Sequence, residues 1–93
     1  MPEAPPTVSV VMTVYNTQRY VAEAVRSVLD QTFGDFEFVI IDDGSTDRSP
    51  TILREFAARD PRVRLVSRPN TGIVAAANEG IGMARGRYLA RIV

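Results

Sequence analysis

Apolar positions fall into alternating extended and helical blocks along the chain. Thr7 to Val14 (TVSVVMTV) is β-branched and largely apolar, which predicts a buried strand. From Gln18 to Gln31 the residues Tyr20, Val21, Ala24, Val25, Val28 and Leu29 recur at helical spacing, with Asn16 or Thr17 as the expected N-cap and Gly34 as the stop. Phe36 to Ile41 is aromatic or β-branched throughout except at Glu37 and runs into Asp42, the pattern of a strand covered on both faces. Ser49 followed by Pro50 predicts the cap and first position of a second helix. Its stripe is Ile52, Leu53, Phe56 and Ala57, and Asp60-Pro61 ends it. Val63 to Val66 (VRLV) reads as a short strand nearer a sheet edge, and Arg68 to Gly72 as a loop. Ile73 to Ala84 follows as a helix, with Ile73, Ala77, Ile81 and Ala84 on its expected core stripe. Gly86 then stops that helix before a fourth strand, Arg87 to Val93.

The order β-α-β-α-β-α-β implies an α/β fold: a doubly wound, Rossmann-like parallel sheet with right-handed crossovers, expected in strand order 3-2-1-4. In such sheets the ligand crevice lies outside the C-terminal strand ends, at the point where the order reverses. Tyr15, Asn16, Asp42 and Asp43 are expected to emerge there. Gly44 permits the turn, and Ser45, Thr46 and Asp47 can hydrogen-bond its backbone. An isolated Asp-Asp-Gly-Ser reads equally well as a polar turn after a buried strand.

Composition narrows the chemistry. The 93 residues hold neither cysteine nor histidine, so zinc-thiolate sites, cysteine nucleophiles and serine-histidine-aspartate triads are excluded. Eleven basic residues balance eleven acidic ones, and nothing in that charge points to nucleic acid. Residues 1–6 read as a flexible proline-rich leader and 7–93 as the folded part. No apolar run is long enough to cross a bilayer, and a cytoplasmic location is the expectation.

A strand-end carboxylate can accept a hydrogen bond from a ring N–H, and a nearby tyrosine offers a stacking face. Thr13, Tyr15 and Asp43 therefore suit a pyrimidine-nucleoside pocket, although Tyr15 alone reads more readily as a boundary residue with its ring in the core. Gly80, Gly82 and Gly86 do not directly follow a strand and open a helix, so they read as packing and termination rather than as a phosphate loop. The Asn70 to Gly72 loop is the better phosphate or ribose candidate because it precedes a helix N-terminus, with Asn78 farther along that helix. A phosphorylation-controlled receiver domain also ends an apolar strand in paired acids. That reading needs a lysine, and the chain has none; its third strand ends Val66-Ser67-Arg68.

The segments VSVVMTVYN, SVLDQTF, FEFVIIDDGSTDRSPTIL and VRLVSRPNTGIVAAANEGIGMARGRYLARI, in this order, resemble the start of family 2 glycosyltransferases of the GT-A fold. The resemblance covers Thr7 to Ile92. It implies a nucleotide-diphosphate-sugar site, with UDP-sugar as donor, in which Thr13, Tyr15 and Asp43 match base-contacting positions. Asp42 lies beside them, Asn16 and Gly72 line the site, and Asn78 belongs to the same set. It also implies transfer of the sugar to an acceptor hydroxyl, with a divalent metal, manganese or magnesium, on the diphosphate of the complete enzyme.

This chain departs from the family pattern in two places. Ala77 stands where members commonly carry arginine, and Arg91 leads only to Ile92-Val93 where an Asp-x-Asp motif is expected. The catalytic base and acceptor site lie downstream in the family. The expectation is therefore an incomplete domain, the donor-base-binding half, with no catalytic or metal-ligating residue of its own and no activity alone. A non-catalytic nucleotide-binding or assembly module derived from that fold is the alternative. Arg87 to Val93 is expected to leave an exposed edge that favours a homo-oligomer.

Overall fold

The computed structural model describes residues 4–31 and 34–92. Val93, the last residue of the expected fourth strand, and the first half of the leader lie outside the described residues. Four strands and three helices alternate: β1 (Val8–Val14), α1 (Val21–Leu29), β2 (Phe36–Asp43), α2 (Ser49–Arg59), β3 (Val63–Arg68), α3 (Ile73–Met83) and β4 (Tyr88–Ile92). The strands form one parallel sheet in the order β3-β2-β1-β4, as the sequence predicts. The reversal of order falls between β1 and β4, which puts the expected crevice beside the C-terminal end of β1.

All eight residues of β2 are buried, because helices cover both faces of the central strand. Its even-numbered residues Phe38 and Ile40 join Met12 and Val14 beneath Val21, Val25 and Val28 of α1 and Leu53 of α2. The odd-numbered Val39 and Ile41 join Val11 beneath Ala76 of α3. Burying each such large side chain contributes about 1.5 to 3 kcal/mol, so β2 anchors both half-cores.

Of the stripe expected on α3, Ala77 is buried and Ala84 half-buried, but the two isoleucines are not. Ala76, Ala77 and Gly80 face the sheet, whereas Ile73 and Ile81 are exposed. The cause is proximity: a Cβ added at Gly80 would lie 2.5 Å from Cγ1 of Val11, so only small residues fit between α3 and the strands. Gly86 is a second close approach, donating its N–H to Ser9 Oγ at 2.7 Å.

Glu37, the exception in the apolar run, is 3% exposed at the N-terminal end of β2. It accepts from Ser9 Oγ at 2.5 Å, from the Arg85 amide at 2.6 Å, from Arg64 Nη1 at 2.7 Å and from Arg85 Nε at 3.2 Å. Burial pushes its pKa up, but the bonds from Ser9, Arg85 and Arg64 outweigh this and lower it from 4.5 to about 2. One carboxylate thus ties β1, β2, β3 and the segment after α3 together.

Both outer strands, β3 and β4, are edges of this sheet, and every residue of β4 is exposed. Tyr88, Leu89 and Ile92 present apolar surface there.

Candidate functional site

The C-terminal ends of β1 and β2 are built by three loops. The loop after β1 and the loop after β2 are laced together. Asn16 adopts φ 51°, a left-handed conformation that asparagine tolerates, and donates its N–H to Ser45 Oγ at 3.0 Å. Its side-chain oxygen accepts from the amides of Thr46 at 2.8 Å and Asp47 at 3.3 Å. Thr17 N–H donates to Ser49 Oγ, Gln18 N–H to Asp47, and Arg48 N–H back to Gln18 Oε1.

The residues expected to cap α1 and α2 are therefore used elsewhere. Neither helix has a side-chain cap bond, and α1 begins only after a turn in which the Thr17 carbonyl accepts from Tyr20 and Val21. Asp47 Oδ1 accepts from the Ser49 amide at 2.8 Å. Burial works against its charge, but the bonds from Ser49 and Gln18 prevail and hold its carboxyl below the usual range.

Asp42 and Asp43 diverge because successive strand residues point to opposite faces. Asp42 is buried on the α1–α2 face, where Oδ1 accepts from the Ser45 amide at 3.2 Å and Oδ2 lies 3.5 Å from Ser67 Oγ. It holds the turn. Asp43 is buried on the α3 face at 3% exposure, not solvent-facing as a strand-end position suggests. Its two oxygens accept from the amides of Thr71 and Gly72, each at 3.0 Å, and its carbonyl accepts from Asn70 Nδ2 at 3.1 Å. The third loop is thereby fixed to β2, and two of its amides, those of Thr71 and Gly72, are engaged by Asp43.

Two glycines make this junction possible. Gly72 sits at φ 99°, ψ 157°, a region essentially reserved for glycine. Gly44 sits at φ 76°, and an added Cβ would lie 2.5 Å from the Asn70 nitrogen.

A cavity of about 400 Å³ opens between these loops, lined by Thr13, Val14, Tyr15, Thr17, Asp43, Asn70, Gly72 and Ile73. Of the residues singled out in the sequence, Thr13, Tyr15, Asp43, Asn70 and Gly72 share it. Asn16 and Asp42 lie behind it in the loop framework, and Asn78 is exposed on α3 outside the lining. Sequence reasoning missed Val14, Thr17 and Ile73. For Ile73 the available signal was its place directly after the loop glycine.

A divalent metal, implied by the resemblance, does not fit the carboxylates present. Asp42 and Asp43 point apart, and among the described residues no three histidine, cysteine, aspartate or glutamate side chains converge.

Residues 9–92 match the family described as Glycosyl transferase family 2, and the chain belongs to that family. It is 39% identical over 84 residues to the uncharacterized glycosyltransferase EpsJ of Bacillus subtilis strain 168, an alignment that covers 90% of this chain and 24% of the relative. The crystal structure of Staphylococcus aureus TarS 1–349 in complex with UDP-GlcNAc superposes with a TM-score of 0.84 at 26% identity, covering 92% of this chain and 26% of that one. The mannosyltransferase PcManGT of Pyrobaculum calidifontis, in complex with GDP-Man and Mn2+, gives 0.76 at 27% identity, covering 87% and 25%. The chain thus spans about a quarter of the length of each of these proteins. The expected GT-A type architecture is the one these neighbours share.

Proposed function

We propose that this chain forms the part of a glycosyltransferase that receives the nucleotide of a UDP-sugar, whose sugar the whole protein transfers to an acceptor hydroxyl. The observation that carries the reading is the Asp43 carboxylate in the wall of a cavity shared with Tyr15 and Thr13. Each Asp43 oxygen accepts one loop amide and keeps capacity for a further donor, such as the N3–H of uracil. Tyr15, 50% exposed at the cavity, supplies a stacking face, and the Thr13 hydroxyl a further polar contact. A volume of about 400 Å³ lies at the small end of ligand sites and suits a nucleoside. The UDP-GlcNAc complex of TarS supports a uridine donor, and the manganese complex of PcManGT supports a metal in the complete enzyme. No step of this proposal runs through a metal held by this chain, which we expect to be inactive alone.

Titration of UDP into the labelled chain, followed by amide shifts, is expected to move Tyr15, Asp43 and Gly72. ADP shifting the same resonances equally would refute the uracil reading. Asp43→Ala is expected to abolish the response and also to loosen the Asn70–Gly72 loop. The alternative, a non-catalytic binding or assembly module, draws support from the exposed β4 edge, and the absence of any nucleotide response would favour it. Among the described residues no helix is long and apolar enough to cross a membrane. A cytoplasmic location is part of the proposal, to be checked by cell fractionation.

A further inference from the structure

Ile73 is the first residue of α3, yet it is 58% exposed and lines the same cavity as the sheet-borne residues Thr13 and Asp43. Its backbone is fixed to the acid of the site. The Gly72 amide is bonded to Asp43, and the Gly72 carbonyl accepts the Ala76 amide, which opens the helix. A β-branched side chain in a helix has one strongly preferred rotamer, so Ile73 offers a stiff apolar surface. The neighbouring Val74 is 71% exposed but lies outside the cavity lining.

A ligand that satisfies this arrangement needs an apolar face for Ile73 and Tyr15 and a donor edge for Asp43. A nucleobase presents a flat face and a ring N–H together, whereas an ionised phosphate has neither. We infer that Ile73 is the second wall of the base slot, a specificity-determining residue that packs against the base on the side away from Tyr15. The inference rests on the UDP reading above and adds a residue to it.

The test compares uridine and UDP binding to the chain and to its Ile73→Ala and Val74→Ala variants, with melting temperatures measured alongside. Ile73→Ala is expected to weaken uridine and UDP by the same factor, about five- to tenfold, because the lost contact is with the base and only part of the side chain is available to bury. Val74→Ala is expected to change neither by more than about twofold. Alanine is the better helix former, so the melting temperature should hold. Ile73→Trp, which fills the slot, is expected to remove binding of both ligands from a folded chain. Equal UDP affinity in the original and Ile73→Ala chains would overturn the inference and leave the uridine reading standing. Loss of UDP binding without loss of uridine binding would overturn it by placing Ile73 against the diphosphate. Failure of the unaltered chain to bind either ligand would defeat the uridine reading itself, and this inference with it.

Discussion

Replacing Glu37 with glutamine tests whether one buried carboxylate holds the N-terminal end of the sheet. Its pKa of about 2 in the folded chain, against 4.5 ordinarily, means that folding favours the ionised form. At 1.36 kcal/mol per pKa unit the difference is worth about 3 kcal/mol. Because the folded value is depressed, that contribution is fully present above pH 4.5 and is lost as pH falls toward 2. Glu37→Gln keeps the shape, but its NH2 replaces one acceptor oxygen and meets donors whichever way it turns, either Ser9 Oγ and the Arg85 amide or Arg64 Nη1 and Arg85 Nε. Breaking a buried pair from one side costs about 3 to 5 kcal/mol, a large share of the 5 to 15 kcal/mol that holds a domain together. Urea unfolding followed by circular dichroism at several pH values between 7 and 2 measures this directly. The gap between the two chains should be about 3 kcal/mol or more at pH 7 and should close as pH approaches 2. Asp47 and Asp60, whose carboxyls are also held low, contribute equally to both chains and cancel. A gap that stays constant with pH would refute the reasoning, since it would show a packing loss rather than a charge-dependent one.

Asn16→Ala loses the acceptor for Thr46 and Asp47 and forces alanine to φ 51°, and is expected to cost about 2 kcal/mol. Asn16→Gly, which removes only the acceptor, should cost about half as much in the same urea assay. Gly80→Ala and Gly82→Ala should differ in sign: the first strikes Val11 and loses about 1 kcal/mol net, whereas the second meets nothing within 4 Å and gains about 0.5 to 1 kcal/mol. Manganese is expected to change UDP affinity in this chain by less than about twofold, because hard divalent ions need several converging oxygens. A large manganese-dependent gain in a calorimetric titration would revive a metal role for Asp42 or Asp43. We further propose that the chain self-associates through the exposed β4 edge, so sedimentation should show an apparent mass rising with loading concentration. A strictly monomeric chain with Tyr88–Ile92 protected from hydrogen exchange would refute that.

The strands were legible because β-branched runs and double-sided burial leave a strong signal, and the alternation of elements was enough to make the sheet parallel. The packing of α3 was not. Hydropathy ranks isoleucine above alanine, but the tight approach of α3 to β1 and β2 admits Ala76, Ala77 and Gly80 and sends Ile73 to the rim. Asp42 and Asp43 are legible as a pair at a strand end, but placing both at the crevice neglects the strand's period of two, which sends only Asp43 to the cavity. Asn16 misled for a different reason. Capping rules are local, whereas its partners lie some 30 residues away in sequence and become neighbours only when β1 and β2 pair.

The lacing of the first two loops also restricts how such a chain can vary. Asn16, Thr17 and Gln18 engage all five residues from Ser45 to Ser49, with Thr17 reaching Ser49 and Gln18 reaching back to Asp47 and Arg48, so the two segments interlock like crossed fingers. An insertion in one alone would pull several of these crossed contacts apart at once and leave amides unpaired on both sides. Neither loop can therefore lengthen unless the other changes with it. Room for a larger or different ligand is easier to find in the third loop, which is fastened to β2 mainly through Asp43.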